Sequence, residues 1–196
     1  WNSPDPQRRG KILLPVLGDH YGLILSSGQI RLEYSGGHFI VRYHDHTFPL
    51  APESLAGLLA KAADRASSSH LGFLADALVR LQQTGETTWS SRLLRDRNKE
   101  AIREQIARLT DERPAVAEQI AAVIDETNHD IDALDSILNS QNYRLSRWRT
   151  AESELVYRRF FDINSLVGIR PGKDRVFADT HQLILEWLKS GQVDGL

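Results

Sequence analysis

The chain has 196 residues with 24 basic and 26 acidic side chains, a formal net charge of −2, and 41% hydrophobic content. That balance gives no electrostatic footprint for nucleic acid or an anionic membrane, and no apolar run approaches the roughly 20 residues of a membrane span. The absence of cysteine removes a disulfide framework and thiolate metal ligands, and fits a cytoplasmic protein.

The first zone, residues 1–50, is β-prone after an N-terminal stretch with no signal-peptide pattern. "KILLPVLG" is a compact apolar run. In "QIRLEYSGGHFIVRYHDHTFPL", Ile30, Leu32 and Tyr34 alternate, then Phe39, Val41 and Tyr43, predicting two strands joined through Ser35-Gly36-Gly37. His44 and His46 fall at strand spacing, which predicts one shared face with Asp45 opposite. Two such histidines need a third protein ligand to hold a metal, and none is identifiable; no metal site is expected.

Residues 51–150 read as a helical bundle. Pro52 suits a first helical position, and breaks are expected at Ser67–Ser69, Thr84–Thr88, Pro114 and Asn128-His129-Asp130. Ile102, Ile106 and Leu109, and likewise Ile120, Val123 and Ile124, give each helix one buried stripe. The charge-rich "RLLRDRNKEAIREQIAR" interleaves Arg95, Lys99 and Arg103 with Asp96, Glu100 and Glu104. This predicts (i, i+4) ion pairs on a solvated face rather than a phosphate-binding stripe.

Residues 151–196 pack aromatics and arginines densely, then close on a helix over 174–190. That helix is expected to be capped by Asp174 and ended by a left-handed Gly191. "QVDGL" after it reads as the entrance to a buried strand, so the expectation is a piece of a longer protein. "VYRRFFDIN" reads as a strand ending in polar residues, where parallel α/β structures carry their chemistry. Its arginine forks and phenylalanine faces could hold a sugar ring, but composition alone favours core aromatics beside a buried ion pair. No Ser/His/Asp or Cys/His arrangement, phosphate loop or placed carboxylate pair is legible.

At "KILLPVLGDHYG", "YHDHTFPL", "NYRLSRWR" and "YRRFFDINSLVGIRPGKDRVFADTHQLILEWLKSGQVDGL", the sequence resembles the maltooligosyltrehalose synthases, members of the α-amylase superfamily. The resemblance implies a mainly α fold with a small β part. It divides into an insertion subdomain (short β-hairpin plus helical bundle) and, over 151–196, a piece of a (β/α)8 barrel leading to the fourth strand. In that family "VDGL" precedes the nucleophilic aspartate, so no catalytic carboxylate is expected within this chain and no cofactor is implied. The implied reaction turns the reducing-end α-1,4 linkage of a maltooligosaccharide into an α,α-1,1 linkage, with a trehalose-releasing hydrolase as a pathway partner. By motif match, Tyr143, Arg144, Arg159, Phe160, Phe161, Asp162 and Asn164 are expected to form the pocket wall or its support. Where the family has histidine before that tyrosine, this chain has Asn142, and His46 is expected to be structural. The alternative is a stand-alone helical interaction module without sugar chemistry.

Overall fold

The computed structural model describes residues 10–82, 89–151 and 172–193. The apolar run of the first zone forms β1 (Ile12–Leu17), which sends Leu13, Pro15 and Leu17 inward at strand spacing. A short helix α1 (Tyr21–Ser26) leads to β2 (Ile30–Ser35), β3 (His38–Tyr43) and β4 (His46–Pro49), an antiparallel sheet in the order β2-β3-β4. Ile30 lies opposite Tyr43, Leu32 opposite Val41 and Tyr34 opposite Phe39, so the two alternating sets share the inner face as expected. Gly36 and Gly37 have φ of +55° and +82°, the two left-handed positions of a tight hairpin turn.

The helices are α2 (Ala56–Arg65), preceded by a 3-10 turn over Pro52–Leu55, then α3 (Ser69–Gln82), α4 (Trp89–Glu112), α5 (Pro114–His129) and α6 (Ile131–Asn139). Each packs on the next, and α2 also packs on α5. The predicted stripes are inside: Ile106, Leu109, Ile120, Val123 and Ile124 are buried, and Ile102 is partly so. Strand β5 (Tyr143–Arg147) follows, then a 3-10 turn over Trp148–Thr150, and later α7 (Asp174–Lys189). One hydrophobic core runs from Leu17 through the sheet and helices to Leu145, so the hairpin and the bundle stabilise each other. The described chain is therefore mainly helical with a small sheet part.

Three local expectations change. His44 lies at φ +49° in the turn between β3 and β4, which breaks the strand that would have put His44 and His46 on one face. His46 instead stacks between Tyr43 and Phe48, at centroid distances of 6.4 and 6.2 Å. The break expected over Asn128-His129-Asp130 falls at Asp130, whose carboxylate caps α6 by accepting from the Ala133 N–H at 3.0 Å. Asn128 stays inside α5 because its amide clamps the edge strand β2, accepting from the Leu32 N–H at 2.7 Å and donating to the Leu32 carbonyl at 3.0 Å.

The charges of α4 pair at (i, i+3), Arg103 with Glu100 at 2.7 Å and Lys99 with Asp96 at 3.6 Å, while Arg95 reaches across to Glu53. Helix α7 starts after Lys173 with no side-chain cap, so Asp174 is its first residue and not its cap. Gly191 ends it at φ +70° as expected. None of its residues is buried, and Trp187 is 41% exposed. The strand expected at "VYRRFFDIN" lies outside the described residues.

The α2–α5 contact carries a pH dependence. Glu126 takes Arg65 at 2.5 and 3.0 Å and Lys61 at 2.8 Å. The Arg65 bonds foremost, then Lys61, hold its carboxyl down at about 2. A carboxyl depressed by folding adds stability above its ordinary value of 4.5, and that contribution is lost as pH falls toward 2. A carboxyl NMR titration should find Glu126 titrating near 2 and, in Arg65→Ala, shifted back toward the ordinary range. An unshifted midpoint in Arg65→Ala would show that Arg65 is not the cause.

Candidate functional site

Strands β1 and β5 pair in parallel, Ile12 opposite Tyr143 through Pro15 opposite Ser146, with a register shift before Leu17 meets Arg147. Parallel pairing brings both C-terminal ends to one side, where the backbone turns away and side chains become available. From β1 come Gly18, Asp19 and His20; from β5 come Arg147 and then Trp148 and Arg149.

The loop after β1 is fixed from the antiparallel sheet. The buried Tyr43 hydroxyl accepts from the Gly18 N–H at 2.9 Å. Asp19 bends back to accept from the His20 N–H at 2.7 Å, and Arg147 Nη1 lies 3.4 Å from His20 Nε2. Trp148 is 44% exposed, and the Arg149 guanidinium sits 5.2 Å from its ring centre. Ser146 Oγ and Arg147 Nε are buried and have no hydrogen-bond partner among the described residues. The strand ends thus present an exposed aromatic face, forked cationic donors and a carboxylate.

The two described residues of the expected pocket wall take opposite faces of β5, as strand alternation requires. Tyr143 points into the core against Phe48, at a centroid distance of 5.8 Å; burial pushes its phenol above the ordinary range, and its hydroxyl has no partner among the described residues. Arg144 lies 5.4 Å from the centre of the Tyr21 ring and donates to Asn139 Oδ1 at 3.0 Å. Tyr21 donates to Asp135 at 2.6 Å, and burial first, then that bond, raises its pKa. The Lys11 ammonium donates to the Asn139 carbonyl; burial and the neighbouring Arg144 charge hold its pKa below the ordinary lysine value. The void shared by Tyr143 and Arg144 is about 10 Å3, at most one water. Arg159, Phe160, Phe161, Asp162 and Asn164 lie outside the described residues.

Sequence reasoning passed over His20, Arg147 and Trp148. The available signal was the polar Gly18-Asp19-His20 step after an apolar run, together with the half-alternating "YRLSR" before a tryptophan. Among the described residues no three His, Asp or Glu side chains group as a metal site.

The described residues thus define a mainly helical protein with a polar, aromatic-bearing edge at paired parallel strands. No family model matches the chain, and no solved structure matches it. Over 61 residues the chain is 39% identical to proteins named "Putative maltooligosyl trehalose synthase" from Mycobacterium tuberculosis strains CDC 1551 / Oshkosh and ATCC 25618 / H37Rv. That segment is 31% of this chain and 8% of each relative. The similarity is partial and distant.

Proposed function

We propose that this chain is part of a maltooligosyltrehalose-synthase-type enzyme and supplies a wall of its maltooligosaccharide site without itself carrying the reaction. The observation that carries the reading is the 61-residue likeness to the two mycobacterial proteins, both several times longer than this chain. The exposed Trp148, with Arg149 beside it and Arg147 at the strand end, supports a sugar as ligand. A glucose ring has an apolar face for an indole and a rim of hydroxyls for forked donors.

In the whole enzyme, a carboxylate outside this chain attacks the anomeric carbon, and the α-1,4 bond to the reducing-end glucose breaks. The released glucose then attacks that carbon through its own anomeric hydroxyl, forming the α,α-1,1 bond and freeing the carboxylate. No water is consumed. The site must keep the loose glucose in place and exclude solvent, which is the part a wall such as β1 and β5 would serve. Tyr143 supports that wall from the core side and Arg144 from the opposite face. A trehalose-releasing hydrolase would then act on the product.

The test is a titration of the chain with maltopentaose, read by the Trp148 indole N–H signal and by reducing-end assay. Trp148 should shift saturably, Trp148→Ala should weaken binding by about fivefold or more, and reducing ends should persist. Loss of reducing ends would overturn the non-catalytic part of the proposal. No saturable shift at Trp148 would overturn the strand-end site.

A further inference from the structure

Gly18, Asp19 and His20 are exposed at the end of β1, yet this turn is held from two distant parts of the chain. Tyr43, on β3, is 4% exposed, and its ring is flanked by His44 edge-on at 4.4 Å and by His46 at 6.4 Å. Packing gives its hydroxyl one place, where it accepts from the Gly18 N–H at 2.9 Å. The approach is close: a Cβ at position 18 would lie 3.3 Å from that oxygen. At the other end of the turn, Tyr21 donates to Asp135 of α6 at 2.6 Å. Between these anchors Asp19 accepts from the His20 N–H at 2.7 Å, and the His20 carbonyl accepts from the N–H groups of Leu23 and Ile24 at 3.0 and 3.1 Å.

The His20 ring takes no part in holding the turn. Its Nε2 lies at the far end of a long hydrogen bond, 3.4 Å from Arg147 Nη1. A guanidinium can only donate, so Nε2 is the acceptor and the neutral ring carries its proton on Nδ1. That N–H has no partner among the described residues. Arg147 directly precedes Trp148, so the contact brings a donor from β1 beside the exposed indole that follows β5. A side chain ordered by the fold before a ligand arrives gives up little rotamer freedom on binding it.

We propose that His20 is a ligand contact of the strand-end site, donating from Nδ1 to a sugar hydroxyl beside Trp148, and that Tyr43 is its positioning residue. The identity of the ligand rests on the sugar reading of that site; the aim of His20 rests on the turn alone. The antiparallel sheet thereby acts on the site at one remove. Losing the Tyr43 hydroxyl frees the Gly18 end of the turn, and His20 leaves Arg147 while β1 and β5 stay as they are.

Two readouts on the full chain test this: the His20 tautomer, from its imidazole nitrogen shifts at pH 8, and maltopentaose affinity, from the Trp148 indole N–H. The parent ring should be the Nδ1–H form, and in Tyr43→Phe it should move toward the mixture of a free imidazole. His20→Ala should weaken maltopentaose about fivefold and Tyr43→Phe about threefold. Tyr34→Phe is the control, because it removes a hydroxyl bond of the same sheet, to Thr110 at 2.9 Å, away from the turn. It should lower stability and leave tautomer and affinity as in the parent. An Nε2–H ring in the parent, or parent-like affinity in His20→Ala, overturns the role of His20 and leaves the sugar reading standing. An unchanged tautomer and affinity in Tyr43→Phe overturn the role of Tyr43. No saturable Trp148 shift in the parent overturns the sugar reading and the His20 contact with it.

Discussion

Replacing Gly37 by valine is expected to destabilise the chain by about 3 kcal/mol or more, from two causes that act together. The first is conformational: φ at Gly37 is +82°, where an L side chain costs about 1–2 kcal/mol, and a β-branched one is the least tolerant. The second is space. A Cβ at this position would lie 2.6 Å from the Arg103 carbonyl oxygen of α4 and 3.1 Å from Ala107 Cβ. The obstacle is helix backbone, which cannot rotate aside, so the hairpin must lift from α4. Gly36 is the internal control, since it has φ +55° but nothing within 4 Å of an added Cβ. Gly36→Ala should therefore show only the conformational cost, about 1 kcal/mol. In thermal unfolding, Gly37→Val should lower Tm by about 6–12 °C, and Gly36→Ala by a few degrees. Equal losses in the two variants would mean that the approach of the turn to α4 contributes nothing.

That contrast also shows where sequence reading succeeds. A two-glycine turn between alternating apolar runs is a local signal, and β2, β3 and their inner faces follow from it. The stripes of α4 and α5 are equally local. What could not be read is contact between distant segments. Nothing within "KILLPVLG" or "NYRLSR" says that they pair, or that they pair in parallel, yet that pairing creates the strand-end site.

The same limit explains Asn128. Its amide is used against the edge of β2, a demand set by a strand far away in the chain. Likewise β4 was hidden because His44 and Asp45 look like strand residues until the turn at φ +49° is seen. Of the expected pocket wall, only Tyr143 and Arg144 can be placed, and strand alternation sends them to opposite faces.

A second large loss is expected from Gln141→Leu, again about 3 kcal/mol, by a different mechanism. Gln141 is 1% exposed at the junction of α6 and β5. Its Oε1 accepts from the Ala51 N–H at 2.7 Å, and its Nε2 donates to the Ile137 carbonyl at 2.7 Å, Ser54 Oγ at 3.0 Å and Ser140 Oγ at 3.1 Å. One amide therefore ties the end of β4, the turn before α2 and the last turn of α6 to the start of β5. Leucine keeps much of the volume and removes every partner, leaving the Ala51 N–H unsatisfied, while the Ile137 carbonyl keeps its bonds from Ser140.

Gln141→Glu separates hydrogen bonding from packing. An ionised glutamate could still accept from Ala51 but would set its second oxygen against the Ile137 carbonyl, so burial and that repulsion raise its pKa. With the folded value above the unfolded one, the protonated form is the stable one. Gln141→Glu should lose stability as pH rises through the raised value and recover much of it as pH falls below. Gln141→Leu should lose the same amount relative to the parent chain at every pH. Urea unfolding at pH 5 and pH 8 distinguishes them. A flat response from the glutamate variant would mean that the side chain at 141 is held by shape alone.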